Sequence, residues 1–298
     1  MLTLFQKKND VKKNIHCTLL INSEKMKTQI HKASSKARQV THEEVNEYQK
    51  NGVVKLSGAF EMDWINQLRE VTETALNNPG PYAEEYAKGG GRFFGDLDVA
   101  KRFPQFNDFI YNSGAADMMG SILKSRKINF FYDQLLVKEP GTGAPTPWHQ
   151  DMPYWAISGN QIASIWLPMD IVDKEVSLKY VAGSHLWEAY NPHNFIDDSA
   201  YEGTGLPELP DIDAAPDKYE LLGWDMKPGD CLVFQGMIVH GAKGNTSNNR
   251  RRAWATRWTG DDVRYNKRKG KVAIPQEDPG LSHGDVLDSD AFPVIWSA

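Results

Sequence analysis

Four residues of this 298-residue chain have the types and spacing to do oxidative chemistry at a metal. His149 and Asp151 stand two positions apart, His240 follows far downstream, and Arg251 comes eleven positions after it, at the head of a strand-like run. Two imidazoles and one carboxylate occupy one face of an octahedral ion and leave the other half open, the arrangement of non-haem iron(II) sites. A buried guanidinium fork beside such a site can grip the far carboxylate of a dicarboxylic co-substrate.

Alone, a His-x-Asp pair is weak. With eight histidines and 23 aspartates in the chain, about 0.6 such pairs arise by chance. A second one, His283-Gly284-Asp285, does occur, in a Gly/Ser/Asp-rich tail with no strand and no later histidine. The first follows a strand and the turn Pro140-Gly141-Thr142-Gly143, where a strand would restart. Residues i and i+2 of a strand face the same side, so His149 and Asp151 would converge. His240 follows the turn Pro228-Gly229-Asp230 and the run Cys231–Phe234, which would deliver it to the far end of a strand. Taken singly, each of the three reads more readily as a packed or surface side chain; together with Arg251 they read as a metal site.

The rest of the chain supplies the elements that must hold these groups. Residues 41–127 read as a helical part. Thr41 to Glu44 has the form of a capping box, and Gly52 can close the helix that follows. A strand then covers 53–56, and Asp63 to Asn78 carries Trp64, Leu68, Val71 and Leu76 at helical spacing. Gly89 to Gly91 predicts a loop, and Phe106 to Lys124 a helix interrupted at Gly114. From 128 to 262 the pattern turns to short strands between Gly/Pro turns: Asn129–Lys138, Ile162–Ile171, Leu178–Val181, Cys231–Gln235 and Ala253–Thr259. That spacing predicts a barrel or sandwich. Glu188–Leu222 is a Pro/Asp/Gly-rich insertion long enough to be a lid, and 263–298 reads as a polar C-terminal extension.

Composition bounds the function class. A formal charge of −5 argues against a nucleic-acid binder, and no run reaches the roughly 18 apolar residues of a membrane span. Cys17 and Cys231 form no disulfide framework, which fits a reducing compartment, cytoplasm or organelle lumen. Residues 1–40 form a basic arm: nine Lys/Arg in the first 38 residues face only Asp10 and Glu24. This is the composition of a peripheral arm or an organelle transit peptide, and its scarcity of arginine favours the arm. Residues 41–298 read as one domain. No sequence signal sets the oligomeric state.

Several motifs then match together. Gly52-Val53-Val54, Lys138-Glu139-Pro140-Gly141, Trp148-His149-Gln150-Asp151, Trp166-Leu167-Pro168-Met169-Asp170, Gly183-Ser184-His185, Pro228-Gly229-Asp230, His240-Gly241-Ala242 and Arg251-Arg252-Ala253 occur in this order. In this combination the chain resembles the phytanoyl-CoA dioxygenase family of iron(II)- and 2-oxoglutarate-dependent oxygenases. The resemblance implies a mainly β fold with flanking helices and a double-stranded β-helix (jelly-roll, cupin-like) core. It implies His149, Asp151 and His240 as iron(II) ligands, Arg251 as the anchor for 2-oxoglutarate, and Gln150 and Trp166 as co-substrate pocket residues. Dioxygen would be the other co-substrate, and oxidation of an aliphatic C–H bond in a small organic molecule the outcome. That outcome is hydroxylation by default, with desaturation or cyclisation open. Asp151 argues against halogenation, because halogenating relatives carry a small residue there. Two departures stand out. Ala242 replaces a serine that often helps hold the co-substrate, which leaves more to Arg251 or to a substitute such as Arg92. Residues 174–178 also diverge, in a loop that would border the substrate.

Other side chains divide between chemistry and packing. Arg257, six positions after Arg251, would also face the interior. It would there bind a substrate carboxylate, or pair with Asp133. Trp148, Tyr154, Trp155 and Trp258 either wall the pocket or fill the core. His185 reads as a turn residue, and Arg264 to Lys271 as a solvated basic loop. Two rival readings remain: a cupin-like metal enzyme that does not use 2-oxoglutarate, and a non-catalytic metabolite-binding protein on the same barrel.

Overall fold

The capping box at Thr41 forms as its sequence dictates. The Thr41 hydroxyl accepts from the Glu44 amide and the Glu44 carboxylate accepts from the Thr41 amide, opening helix α1 (His42–Asn51). Gly52 closes that helix with φ 78°, and a Cβ there would stand 2.5 Å from His185 Nδ1, so the position demands glycine twice over. The structure, a computed structural model, describes residues 37–87 and 89–298. The basic arm as far as residue 36, with Cys17, lies outside the described residues.

In chain order there follow β1 (Val53–Leu56), α2 (Met62–Asn77), β2 (Glu84–Glu85), β3 (Phe93–Leu97), α3 (Val99–Arg102), α4 (Pro104–Asn112) and α5 (Ala115–Leu123). Gly114, at φ 83°, separates the last two helices. Next come β4 (Lys127–Lys138), β5 (Thr146–His149), β6 (Ile157–Ser158), β7 (Ile162–Pro168), β8 (Lys179–Val181) and β9 (Leu221–Leu222). The chain ends with β10 (Cys231–Gln235), β11 (His240–Ala242), β12 (Arg251–Thr259), β13 (Arg264–Tyr265) and β14 (Val294–Ser297). Pairing is antiparallel between these strands, in a large sheet of order β1-β10-β7-β12-β4-β3-β2, with β14 also on β4, and a smaller one of order β5-β11-β8-β9. This is the jelly-roll core, with one cavity lined from both sheets.

Strand alternation decides what enters that cavity. On β12, Arg251, Ala255 and Arg257 line it. Trp254 points the other way, packing its ring 4.8 Å from Phe106 and 5.4 Å from Phe109 of α4. Arg252, also outward, pairs with Asp170 and with Glu73 of α2. Asp170 thereby leaves the sheet, its carboxylate accepting from the Arg252 amide, so β7 stops at Pro168 rather than at Ile171.

Three segments differ from expectation. The polar C-terminal extension is part of the fold: β14 pairs with the start of β4, and residues 271–274 and 276 line the cavity. β3 hides in Phe93-Phe94-Gly95-Asp96-Leu97, where Gly and Asp mask the strand pattern. His240 does not end β10; a turn at 236–239 carries the chain into the smaller sheet, where His240 opens β11.

Candidate metal centre

His149 ends β5 and His240 begins β11, directly opposite one another in the register of the smaller sheet, with ring centroids 4.2 Å apart. Asp151 reaches them differently from the expected i, i+2 alternation. The chain leaves β5 after His149, and Asp151 takes helical angles (φ −72°, ψ −44°) at the mouth of a 3-10 turn, Met152–Tyr154. That curl brings its carboxylate back under the two rings. The Met152 amide donates to the Gly236 carbonyl at 2.8 Å, tying the two ligand-bearing turns together.

The atoms that would bind an ion already converge. Asp151 Oδ1 lies 3.3 Å from His149 Nε2 and 3.9 Å from His240 Nε2, and the donor atoms all fall within 4.8 Å of one another. Ligands at right angles, roughly 2.1 Å from an ion, stand about 3 Å apart, so the set fits one face of a six-coordinate metal. Each ring is oriented through its other nitrogen: His149 Nδ1 lies 2.8 Å from the Pro147 carbonyl and His240 Nδ1 lies 3.0 Å from that of Ile238. With Nδ1–H donating, both Nε2 lone pairs face the centre. Burial, with the neighbouring His149, pushes His240 down to about 3, so its imidazole is neutral. Burial works against a charged Asp151, yet Arg257 and the two imidazoles hold its carboxyl well below the usual carboxylate range. Among the described residues, no second group of three such side chains converges this way, and Asp285 of the His283 pair serves a turn with Ser282.

Arg251 stands at the head of β12, buried, with its guanidinium 5.8 Å from the Trp166 ring and Nη1 donating to the Val176 carbonyl. Burial lowers it to about 10, so it remains a cation near neutral pH. Two further buried donors have no protein partner: Trp166 Nε1 and the Tyr180 hydroxyl. Tyr180 stacks on His240 at 5.6 Å and interacts electrostatically with both Arg251 and Asp151. Arg251 and Trp166 line the cavity together with the three-ligand site, an arrangement that fits a co-substrate with a carboxylate at each end, whereas Tyr180 is not part of the lining. Tyr180 escaped sequence reading, because a tyrosine in a short strand carries no motif. The divergent 174–178 loop touches Arg251 through Val176 and lines the cavity through Leu178.

Other expected residues fall elsewhere. Gln150 points away from the cavity: its amide donates to the Glu188 carbonyl and accepts from the Tyr190 amide, stapling down the start of the insertion. Arg92 is half-exposed and pairs with Glu85, outside the cavity. Asp133 does not meet Arg257, because the register sets Thr256 opposite Asp133 and Arg257 opposite Tyr132, and neighbours on a strand face opposite sides. Asp133 instead accepts from the amides of Val99 and Ala100 and from Trp254 Nε1, and burial raises it to about 7. Arg257 turns into the cavity beside Asp151. Tyr154 and Trp155 line the cavity, Trp155 with its Nε1 bound to the Tyr132 hydroxyl, whereas Trp148 and Trp258 do not reach it. His185 packs against Gly52, clear of the triad.

The cavity of about 460 Å3 opens outward from these groups. Its outer wall includes Tyr86, His193, Phe195, Tyr201 and Lys271, from three segments distant in sequence. The insertion therefore forms one side of the mouth.

A jelly-roll with an inward-facing His-Asp-His set and a buried arginine beside it defines the class of non-haem iron and 2-oxoglutarate oxygenases. The family described as Phytanoyl-CoA dioxygenase (PhyH) matches residues 48–253, and the chain belongs to that family. A Caenorhabditis elegans protein named probable phytanoyl-CoA dioxygenase is 22% identical over 240 residues, covering 72% of this chain and 74% of its own. Among solved structures, the non-haem alpha ketoglutarate dependent carbocyclase SnoK from nogalamycin biosynthesis superposes with TM-score 0.67 at 19% identity, covering 86% of this chain and 96% of that one. The epimerase SnoN, in complex with Fe3+, alpha ketoglutarate and nogalamycin RO, gives 0.68 at 18%, covering 85% and 97%. EctD from S. alaskensis, with 2-oxoglutarate and 5-hydroxyectoine, gives 0.62 at 15%, covering 74% and 76%.

Proposed function

We propose that this enzyme oxidises an aliphatic C–H bond of a small organic substrate, by hydroxylation in the first instance, with His149, Asp151 and His240 holding iron(II) and Arg251 anchoring 2-oxoglutarate. The observation that carries this is the joint geometry of the triad and the arginine: three buried donors of metal-ligand type within 4.8 Å of one another, and a buried cation with unpartnered donors beside it. Iron(II) with 2-oxoglutarate supplies the oxidising power, dioxygen being consumed as the co-substrate is decarboxylated to succinate. The chain's own residues bind, orient and exclude. Trp166 and Tyr180 offer donors near Arg251, where a serine is missing at Ala242. Tyr154 and Phe195 cover His149, with ring centroids 6.0 and 4.7 Å from its imidazole, and so shield that side of the centre from water.

The aromatic wall of Tyr86, Tyr154, Phe195 and Tyr201 supports a substrate with a ring or a broad apolar face, as does SnoN's complex with nogalamycin RO. Arg257, the motive for a substrate carboxylate, lines the cavity with Nη2 3.7 Å from Asp151. Arg251→Ala should weaken 2-oxoglutarate binding roughly 10- to 100-fold, the loss of charge-assisted hydrogen bonds, and leave iron(II) affinity near wild type. Calorimetric titration of both ligands checks this. Unchanged 2-oxoglutarate affinity would favour a metal enzyme that uses no such co-substrate.

A further inference from the structure

Asp151 presents only one of its oxygens to the triad. Oδ1 is the atom near both histidine Nε2 atoms, whereas Oδ2 lies 3.3 Å from the Ser164 hydroxyl and 3.7 Å from Arg257 Nη2. Ser164 and Arg257 are direct partners across β7 and β12, both buried, so the large sheet delivers a hydroxyl and a cation together to the same carboxylate oxygen. Arg257 is itself held in place. Nη1 donates to the Ala255 carbonyl at 3.1 Å, Nη2 to Gln134 at 3.4 Å, and the guanidinium lies 4.6 Å over the Tyr132 ring. Its Nε has no protein partner.

We propose that Ser164 and Arg257 form a cradle that keeps Asp151 a one-oxygen ligand, making both of them positioning residues of the metal centre. This rests on the iron reading of the triad. A carboxylate beside a divalent cation can bind through one oxygen or through both. Binding through both would close a fourth of six positions and leave two, too few for a chelating co-substrate together with dioxygen. The Ser164 hydroxyl donating to Oδ2 and the Arg257 charge 3.7 Å from it would hold that oxygen off the ion and fix the plane of the carboxylate. The cradle also accounts for a buried arginine six residues beyond Arg251, whose acidic neighbour is Asp151.

Cobalt(II) titration of the full-length protein tests this, since the visible bands of cobalt(II) report both affinity and coordination number. Arg257→Gln should weaken cobalt(II) roughly 10- to 100-fold, the usual effect of losing a ligand's supporting partner, and change the band pattern. Arg257→Lys should recover part of the affinity, and Ser164→Ala should lose about a few-fold. Near-ultraviolet circular dichroism and melting temperature control for folding. A folded Arg257→Gln protein with wild-type affinity and spectrum overturns the proposal, as does a rise in substrate KM alone, which would make Arg257 a substrate anchor. Should Arg257→Gln fail to fold, wild-type cobalt(II) binding by both Arg257→Lys and Ser164→Ala overturns it equally. Wild-type protein that binds no cobalt(II) at the triad defeats the iron reading itself, a separate result.

Discussion

His240 is only 4% exposed, and its neutrality makes the centre ready for a metal but sensitive to acid. Its folded value, about 3, lies below the ordinary histidine range near 6.5. Below pH 6.5 the unfolded chain takes up a proton that the fold refuses, so stability is full above that pH and declines as pH falls toward 3. One such proton is worth at most about 1.4 kcal/mol per pH unit. Asp151, held below its ordinary range, acts in the same direction under still more acid conditions. Buried Asp133, raised to about 7, works in the opposite direction over the same range, so the test is the comparison of proteins: in urea melts of the metal-free forms at pH 7 and pH 5, wild type should fare worse at pH 5 relative to pH 7 than His240→Gln does. An equal slope in the variant would place the proton elsewhere. At Tyr180, replacement by Phe should weaken 2-oxoglutarate about 2- to 10-fold without affecting metal affinity, the cost of one neutral hydrogen bond. Equal 2-oxoglutarate binding would show that the hydroxyl is not used.

The order of strands explains which residues the sequence revealed and which it concealed. Histidine and aspartate types, their two-residue spacing and the arginine eleven positions after the second histidine are local features, and they marked the triad and Arg251. Alternation along β12 is also local, so the inward turn of both Arg251 and Arg257 was legible. What Arg257 meets was not, because register is a long-range property: sequence offered Asp133 as its partner, and the pairing of β12 with β4 sets Asp133 on the other face. Ser164 was invisible for the same reason, and Tyr180 because it carries no motif. The hydrogen bonds of Gln150 were not legible either, because it lies where β5 gives way to a turn. Its actual work, holding Glu188 and Tyr190, gives a prediction at this scale. Gln150→Ala should loosen the start of the insertion and raise the KM for substrate, while 2-oxoglutarate affinity measured without substrate stays at the wild-type value. A change in both would place Gln150 at the co-substrate after all.

For the molecule as a whole, the cavity mouth depends on three segments far apart in the sequence. Residues 81–84 and 86, 193–195 and 201, and 271–274 and 276 line it, on either side of a core whose iron-side residues come from both sheets. The family match ends at 253, so the part of this mouth from residues 271–274 and 276 lies beyond the matched region. No helix among the described residues is long and apolar enough to cross a membrane. Removing residues 294–298 should lower the melting temperature by several degrees, since β14 pairs with β4 and Trp296 packs on Gly120, yet leave co-substrate binding intact. The central claim is that one iron(II) and one 2-oxoglutarate bind side by side within this barrel. Anaerobic addition of both to the protein, followed by visible absorption, tests it most directly. A weak metal-to-ligand charge-transfer band should grow to saturation at one equivalent of iron(II) and be absent from His240→Ala; a folded, metal-loaded wild-type protein that shows no such band would contradict it.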